Sequence, residues 1–259
     1  MKSTIIVILS VLLFASCHTT TQNKALVVAT NSWTAALAQT AGATEIVVLA
    51  PYEMEHPSEY ELRPGDIPKL MDASLIIYAG YESMAERIKN GMDVPEEKML
   101  KVETTYAFEQ LSASVLSIAE KIGTTEIALQ NLNKIAELYN NGKAAIAASP
   151  LSGQPVLVQY FQLPVAKELG LNIAGHFGPA PLEANQIAQL AQSQAVLIID
   201  NIHNPVGEPL HEVISGSSYQ LFLNFPGLKN TRSLEDVIRY NINQISNIQH
   251  ITKQTKSDE

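Results

Sequence analysis

Short apolar runs recur along the chain after residue 25, and each is followed by a segment with helical spacing. Runs that are apolar throughout are typical of strands buried on both faces, as in parallel sheets covered by helices. In the first half, the apolar runs predict strands at residues 26–29, 45–50, 74–79 and 99–102. Helical spacing predicts helices at 33–40, 66–73 and 84–89, so this half is predicted to be an α/β unit.

The same order of elements returns after residue 150. Apolar runs predict strands at 155–158, 171–174, 195–199 and 219–223, and helical spacing predicts helices at 163–169, 183–192 and 234–248. Strand, helix, glycine-turned strand, loop, helix and strand follow one another in both halves, although few residues are identical. The repeated pattern therefore predicts two similar α/β lobes with parallel sheets.

Two helical segments separate the halves, at 108–121 and 124–147, with Gly123 between them. The second segment should begin at a Thr124 cap, and it is about 35 Å long at 1.5 Å per residue, which is longer than a crossover helix needs. The sequence therefore predicts an N-terminal lobe at 24–122, a linking helix at 123–148 and a C-terminal lobe at 149–259.

The N-terminus has the pattern of an exported protein. Lys2 precedes an apolar run at 5–14, which is shorter than the roughly 20 residues of a membrane span. Phe14-Ala15-Ser16-Cys17 resembles the bacterial lipobox, where the signal is cut and the cysteine is acylated. An alternative is a plain secretory signal with an unpaired thiol. We predict a signal peptide at 1–17, a lipid anchor on Cys17 and a tether at 18–23.

Composition excludes some classes of partner. The chain of 259 residues carries a net charge of -9, and its Lys and Arg residues are scattered, which argues against nucleic-acid binding. Cys17 is the only cysteine, so no internal disulfide can form.

Polar side chains collect where the predicted strands end, which is where parallel α/β sheets bind ligands. In the first half these residues are Asn31, His56, Tyr81 and Glu103, and in the second half they are Gln159, His176, Asp200, His203 and Asn224. If the two lobes face each other, these groups meet in one cleft. Imidazole combined with carboxylate or amide oxygen suits a borderline divalent cation such as Zn²⁺ or Mn²⁺.

Three of these residues have different interpretations. His176 lies beside Phe177-Gly178-Pro179 and fits a turn or core histidine better than a ligand. Asp200 fits a cap of the next segment as well as it fits a ligand. His203 follows Asp200 by three residues at the mouth of a buried strand, and there the ligand interpretation is favoured.

Several motifs resemble those of one family, the metal-binding lipoproteins of ABC transporters that import zinc and manganese (the cluster A-I or cluster 9 solute-binding proteins). The resemblance spans most of the mature chain and rests on Ala29-Thr30-Asn31, the His56 loop through Pro64-Gly65-Asp66, Asp72-Ala73-Ser74 with the strand after it and Gly80, and Asn224-Phe225-Pro226-Gly227 before a last helix with Tyr240-Asn241. It implies two α/β lobes joined by a long rigid helix, with a cleft that holds one metal.

The chain departs from that family at the metal ligands. The usual first histidine position is Ser58 here, with His56 two places earlier, and no second histidine motif is present near Glu103. Gln159 stands where a third histidine is expected, and Asn224 where an Asp often lies. Because of these departures, we predict His56 and His203 as ligands, although the family pattern lacks His203, then Gln159 and Asp200, then Glu103. The ion stays open, and a chelated cargo is a further possibility.

The resemblance implies an exported substrate-binding lipoprotein that captures zinc or manganese and passes it to a permease driven by an ATPase. We expect a monomer that is anchored to the periplasmic face of the inner membrane or the cell surface, and no enzyme. Two alternatives are an exported metal-dependent hydrolase and a surface lipoprotein with an adhesion role. The hydrolase alternative lacks a His-Glu-x-x-His or Gly-x-Ser-x-Gly motif in this sequence.

Overall fold

The computed structural model describes residues 25–246 and 248. The predicted signal peptide at 1–17, the lipidation site Cys17 and the tether at 18–23 lie outside the described residues. Within the described part, no helix combines the length and the apolar character that a membrane span requires.

The first lobe is a parallel four-stranded sheet with helices around it. Its strands are β1 (Leu26–Ala29), β2 (Glu45–Val48), β3 (Leu75–Tyr78) and β4 (Met99–Lys101), in the order β2-β1-β3-β4. Its helices are α1 (Ser32–Thr40), α2 (Asp66–Asp72) and α3 (Ser83–Gly91). Val27, Val28, Ile76 and Ile77 are fully buried, as expected for strands covered on both faces.

Two helices connect the lobes, α4 (Phe108–Ile122) and α5 (Thr125–Ala147). Gly123 ends α4 in the left-handed conformation with φ 74°, which glycine adopts without steric cost. Thr124 is the N-cap residue of α5, as predicted, although its side chain makes no hydrogen bond to the N-terminus of the helix. The Thr124 hydroxyl instead donates to the Ala41 carbonyl at 2.6 Å and ties α5 to the end of α1.

The second lobe repeats the topology of the first. Its strands are β5 (Pro155–Gln159), β6 (Asn172–Phe177), β7 (Leu197–Asn201) and β8 (Ser218–Phe222), all parallel and in the order β6-β5-β7-β8. Its helices are α6 (Leu163–Glu168), α7 (Ala184–Ala191), α8 (Glu208–Val213) and α9 (Leu234–Ser246). The predicted fold class, two α/β lobes with parallel sheets joined by a long helix, is confirmed.

One hydrophobic core extends through both lobes. It includes Val27 and Leu37 of the first lobe, Ile135 of α5, and Val158 and Ile238 of the second lobe. The last helix, α9, packs against both α5 and α1 and so closes the chain back onto the first lobe. Because each buried aliphatic side chain contributes about 1.5–3 kcal/mol, this shared core ties the lobes together strongly.

Candidate functional site

A cavity of about 960 Å³ lies between the carboxyl ends of the two sheets, and we call it the interlobe cavity. The first lobe lines it with Asn31, Trp33, His56, Ser58 and Tyr81, among others. The second lobe contributes Tyr160, Phe161, Lys167, His203, Asn224 and Phe225. The two lobes therefore bring their strand ends to one site, as the sequence predicts.

His203 follows β7 and is the most deeply placed imidazole of the interlobe cavity, with 7% of its surface exposed. Its backbone N–H donates to Asn201 Oδ1 at 3.1 Å, and its ring stacks on Phe225 with 3.7 Å between centroids. Within the described residues, neither ring nitrogen has a hydrogen-bond partner. Buried polar atoms are rarely left unpaired, so these nitrogens mark a place for a ligand.

Burial keeps the His203 ring uncharged. Burial, with a smaller effect of the nearby His56, lowers the pKa of His203 from 6.5 to about 4. An uncharged imidazole offers a nitrogen lone pair at neutral pH, which is the state that binds a metal ion.

His56 faces the interlobe cavity from the other lobe, on the loop between β2 and α2. The imidazole is exposed, but the loop behind it is anchored at the buried Asp66 carboxylate. That carboxylate accepts hydrogen bonds from the Tyr60 hydroxyl at 2.8 Å and the Arg63 N–H at 3.0 Å, and it pairs with Lys69 at 2.9 Å. His56 is thus an accessible ligand candidate on an anchored loop.

Asp200 lies outside the interlobe cavity and is fully buried. Its Oδ2 accepts hydrogen bonds from the Val206 N–H at 2.8 Å, the Gly207 N–H at 2.6 Å and the Tyr219 hydroxyl at 2.6 Å. Its Oδ1 accepts the Asn201 N–H at 2.7 Å. The carboxylate therefore holds the loop that carries His203, which is the capping interpretation.

Gln159 and Glu103 also lie away from the interlobe cavity. The buried Gln159 side chain accepts the Phe161 N–H at 2.7 Å and so fixes the turn that presents Tyr160 and Phe161. Glu103 is exposed and lines a separate depression with Lys101 and Thr104. Of the five predicted ligands, the structure therefore brings only His56 and His203 into one cavity.

Asn31 lines the interlobe cavity, but its side-chain amide already makes hydrogen bonds within the first lobe. Its Oδ1 caps α1 by accepting the N–H groups of Trp33 at 2.9 Å and Thr34 at 3.0 Å. Its Nδ2 donates to the buried Glu82 carboxylate at 2.8 Å, which also accepts the Gly80 N–H. In the first lobe, Glu82 thus organises the strand ends as Asp200 does in the second.

Two further lining residues carry unpaired buried atoms. Within the described part of the chain, Trp33 Nε1 and Asn224 Oδ1 have no hydrogen-bond partner. Trp33 stacks on Tyr106 with 5.4 Å between centroids. The position of Asn224 after a strand signals its place in the site, whereas Trp33 and Lys167 lie on helices and no sequence motif singles them out.

Asn224 and Phe225 line the interlobe cavity and belong to the turn 224–227, where the lobes touch. The Ser32 hydroxyl donates to the Pro226 carbonyl at 2.6 Å, and the backbone of Gly227 lies against the Tyr52 carbonyl. Beside the turn, the Arg232 guanidinium pairs with Glu53 at 3.1 Å and lies over the Tyr52 ring. These contacts set the spacing between the two halves of the site.

The described residues contain no group of three or more His, Cys, Asp or Glu side chains that could hold a metal ion. Besides the two imidazoles, the cavity is lined by amides, hydroxyls and aromatic rings, by the exposed Glu55 carboxylate and by Lys167. In this arrangement, the protein can donate two nitrogen ligands from opposite lobes to one cation.

No protein-family model matches the chain, and no curated protein matches it. Among solved structures, FpvC, a substrate-binding protein (SBP) of Pseudomonas aeruginosa in complex with Ni²⁺, has a TM-score of 0.66 at 18% identity over 85% of this chain and 94% of that chain. The Mn-bound periplasmic metal binding protein of Candidatus Liberibacter asiaticus has 0.58 at 13% over 86% and 98%. The laminin-binding protein Lbp of Streptococcus pyogenes has 0.60 at 14% over 87% and 98%. At these identities the likeness shows a shared fold.

Proposed function

We propose that this protein is the substrate-binding component of an ABC importer and that it captures a divalent metal ion in the interlobe cavity. One observation carries the proposal. The buried His203 imidazole has two nitrogens without a partner among the described residues, and it lines the same cavity as His56 from the opposite lobe. Two imidazoles supplied by two lobes can bind one ion between them.

The ligand chemistry supports zinc or manganese as the cargo that we propose. Imidazole nitrogen suits zinc, and the oxygen of a side-chain amide such as Asn224 suits manganese. Solved proteins with this fold bind Ni²⁺, manganese and cadmium, and they are named as binding proteins. We therefore propose a carrier that binds and releases its metal without chemical conversion.

The proposal includes the cellular setting. Acylation at Cys17 would anchor the exported protein to a membrane, where it would deliver the ion to a permease and its ATPase as a monomer. The lobes at 24–122 and 149–259 would meet around the ion, with the linking helix at 123–148 fixing their spacing.

Metal analysis of the mature protein tests the proposal. Purified without chelator, the protein should contain Zn or Mn, and adding the metal at about 100 times its Kd should raise the free energy of unfolding by about 2.7 kcal/mol. His56→Ala and His203→Ala should each abolish that gain. His211→Ala should retain it, because His211 lies on α8 outside the interlobe cavity.

Two results would contradict the proposal. One is the absence of any stabilisation by Zn²⁺, Mn²⁺ or Fe²⁺ in the unmodified protein. The other is laminin binding that does not require His203, which would favour the adhesion alternative suggested by the fold shared with Lbp.

A further inference from the structure

The interlobe cavity supplies few ligands for a bare ion. Structural zinc sites have four protein ligands and catalytic sites usually have three. Here the two imidazoles are joined by Asn224 Oδ1 and the exposed Glu55 carboxylate, and across the described residues no group of three or more His, Cys, Asp or Glu side chains could hold a metal. An ion bound by His56 and His203 would keep at least half of its coordination positions open.

The interlobe cavity is also far larger than a bare ion requires. Its volume of about 960 Å³ lies near the top of the roughly 300–1,000 Å³ range of sites for organic ligands. Tyr81, Tyr160 and Phe161 line it although 55%, 52% and 44% of their surfaces are exposed. Exposed aromatic rings around a cavity stabilise an organic ligand by stacking, whereas a hydrated cation gains little from them at this size.

Polar groups on the walls suit an anionic organic molecule. Lys167 lines the cavity and, within residues 25–246, forms no salt bridge, and the one carboxylate among the lining residues is that of the exposed Glu55. A lysine charge repels a bare dication but attracts carboxylates. Trp33 Nε1 is a buried donor without a partner in the described residues, and it could donate to the same molecule.

We infer that the cargo is a divalent metal already held by a small aromatic chelator with carboxylate groups. His56 and His203 complete the coordination of the metal, while the exposed aromatic rings and Lys167 bind the chelator. The inference rests on the function proposed above, and it narrows the substrate class from a metal ion to a metal complex.

Three probes separate the metal from its chelator in isothermal titration calorimetry with the metal-free mature protein. They are aqueous Ni²⁺, Ni²⁺ with one equivalent of iminodiacetate, and Ni²⁺ with one equivalent of pyridine-2,6-dicarboxylate. Both chelators have two carboxylates and three donor atoms, but only the second has an aromatic ring. We expect the pyridinedicarboxylate complex to bind at least about tenfold more tightly than aqueous Ni²⁺, with the iminodiacetate complex in between.

Matched lysine variants test the role of charge. Lys167→Gln should weaken binding of both chelates several-fold and leave the affinity for aqueous Ni²⁺ unchanged or higher. Lys121→Gln removes the same charge from the exposed last turn of α4 and should change none of the three affinities. Native mass spectrometry should show protein, metal and chelator in one complex.

Different outcomes would overturn the chelate inference and the proposed metal capture. If aqueous Ni²⁺ binds as tightly as its chelates, or if the protein strips the metal from the chelator, the inference is overturned and the metal-capture proposal stands. If no probe binds and none of the ions named above stabilises the fold, both are overturned. If the chelates bind equally to His203→Ala, the metal plays no part and the inference is overturned.

Discussion

At the scale of single residues, the environment of His203 makes the metal-free protein sensitive to acid. The unfolded chain takes up a proton on this residue near pH 6.5, whereas the folded protein does so only near its lowered pKa of about 4. Between these values the unfolded state binds more protons, so the free energy of unfolding falls as the pH falls. At 1.36 kcal/mol per pKa unit, the loss is about 3 kcal/mol once the pH is below 4.

Urea unfolding between pH 7 and pH 4 measures this effect. Carboxyl groups titrate in the lower part of the same range, so the relevant quantity is the difference between the metal-free wild type and His203→Gln. We expect that difference to change steadily through the window in favour of the variant. Parallel profiles for the two proteins would show that His203 ionises as easily when folded as when unfolded.

Substitution of Asp200 tests whether its carboxylate is a metal ligand or a structural group. In Asp200→Asn, an amide NH₂ replaces one carboxylate oxygen and faces N–H donors, so one or more of the four hydrogen bonds to Asp200 is lost. Hydrogen bonds to charged groups contribute about 1.5–3 kcal/mol each, so we expect the free energy of unfolding to fall by about 3–5 kcal/mol. Chemical unfolding of the metal-free protein measures it.

The matched control is Asp93→Asn, which changes an exposed carboxylate and should leave stability unaltered. If Asp200→Asn instead kept full stability and lost only metal binding, the ligand role predicted from the sequence would be correct after all.

The candidate site could be predicted only in part, because position after a strand does not fix where a side chain points. His56, His203, Asp200 and Gln159 all carry the same positional signal in the sequence. In the fold, two of them line the interlobe cavity while Asp200 and Gln159 turn towards backbone N–H groups of their own lobe. The direction in which each side chain points depends on which hydrogen-bond donors the tertiary structure leaves unpaired near it.

At the scale of elements, the predicted strands and helices follow from buried apolar runs, and the differences lie at their ends and at α8, a short helix that is not predicted from the sequence. The strand predicted at 171–174 continues as β6 to Phe177 because its hydrogen bonds to β5 continue there. The pattern stops earlier since β6 is an edge strand with exposed positions such as His176. An apolar pattern in the sequence indicates which residues are buried, whereas the length of a strand depends on its backbone hydrogen bonds to the neighbouring strand.

Gly142 illustrates packing that a sequence pattern does not indicate. In the interior of a helix, Gly→Ala usually stabilises by about 1 kcal/mol. At Gly142 of α5, however, an added Cβ would lie 2.9 Å from both Ile242 Cδ1 and Leu169 Cδ2. We expect Gly142→Ala to lower the free energy of unfolding by about 1 kcal/mol net, measured by thermal unfolding.

Gly91 provides the comparison, because it lies in the last turn of α3 with nothing within 4 Å of an added Cβ. Gly91→Ala should be neutral or stabilising. If Gly142→Ala is as stable as Gly91→Ala, the Ile242 and Leu169 side chains move away from the added methyl group without lowering the free energy of unfolding.

At the scale of the whole molecule, Gly227 controls how closely the lobes meet. Its φ of 138° is unfavourable for any other residue, and an added Cβ would collide with the Tyr52 carbonyl in the first lobe. We expect Gly227→Ala to destabilise the fold by about 2 kcal/mol or more and to weaken metal binding about tenfold, because the turn that carries the lining residues Asn224 and Phe225 must shift. Calorimetry with Zn²⁺ and thermal unfolding measure the two effects.

The Gly216→Ala variant separates the effect of backbone strain at a positive φ from the effect of a collision with the Tyr52 carbonyl. Gly216 also has a positive φ, 81°, but nothing lies within 4 Å of an added Cβ. This variant should lose stability and keep its metal affinity. Equal losses of affinity in both variants would show that the contact with Tyr52 does not set the geometry of the site.

The continuous core has a consequence for unloading. A wide hinge movement would separate α9 from α1 and α5. It would expose apolar surface, which costs roughly 25 cal/mol of free energy per Å². The His56 loop, by contrast, is anchored at Asp66 but presents its imidazole to solvent. We therefore expect the His56 loop to move when a bound ligand leaves, while the half of the molecule that holds His203 keeps its position.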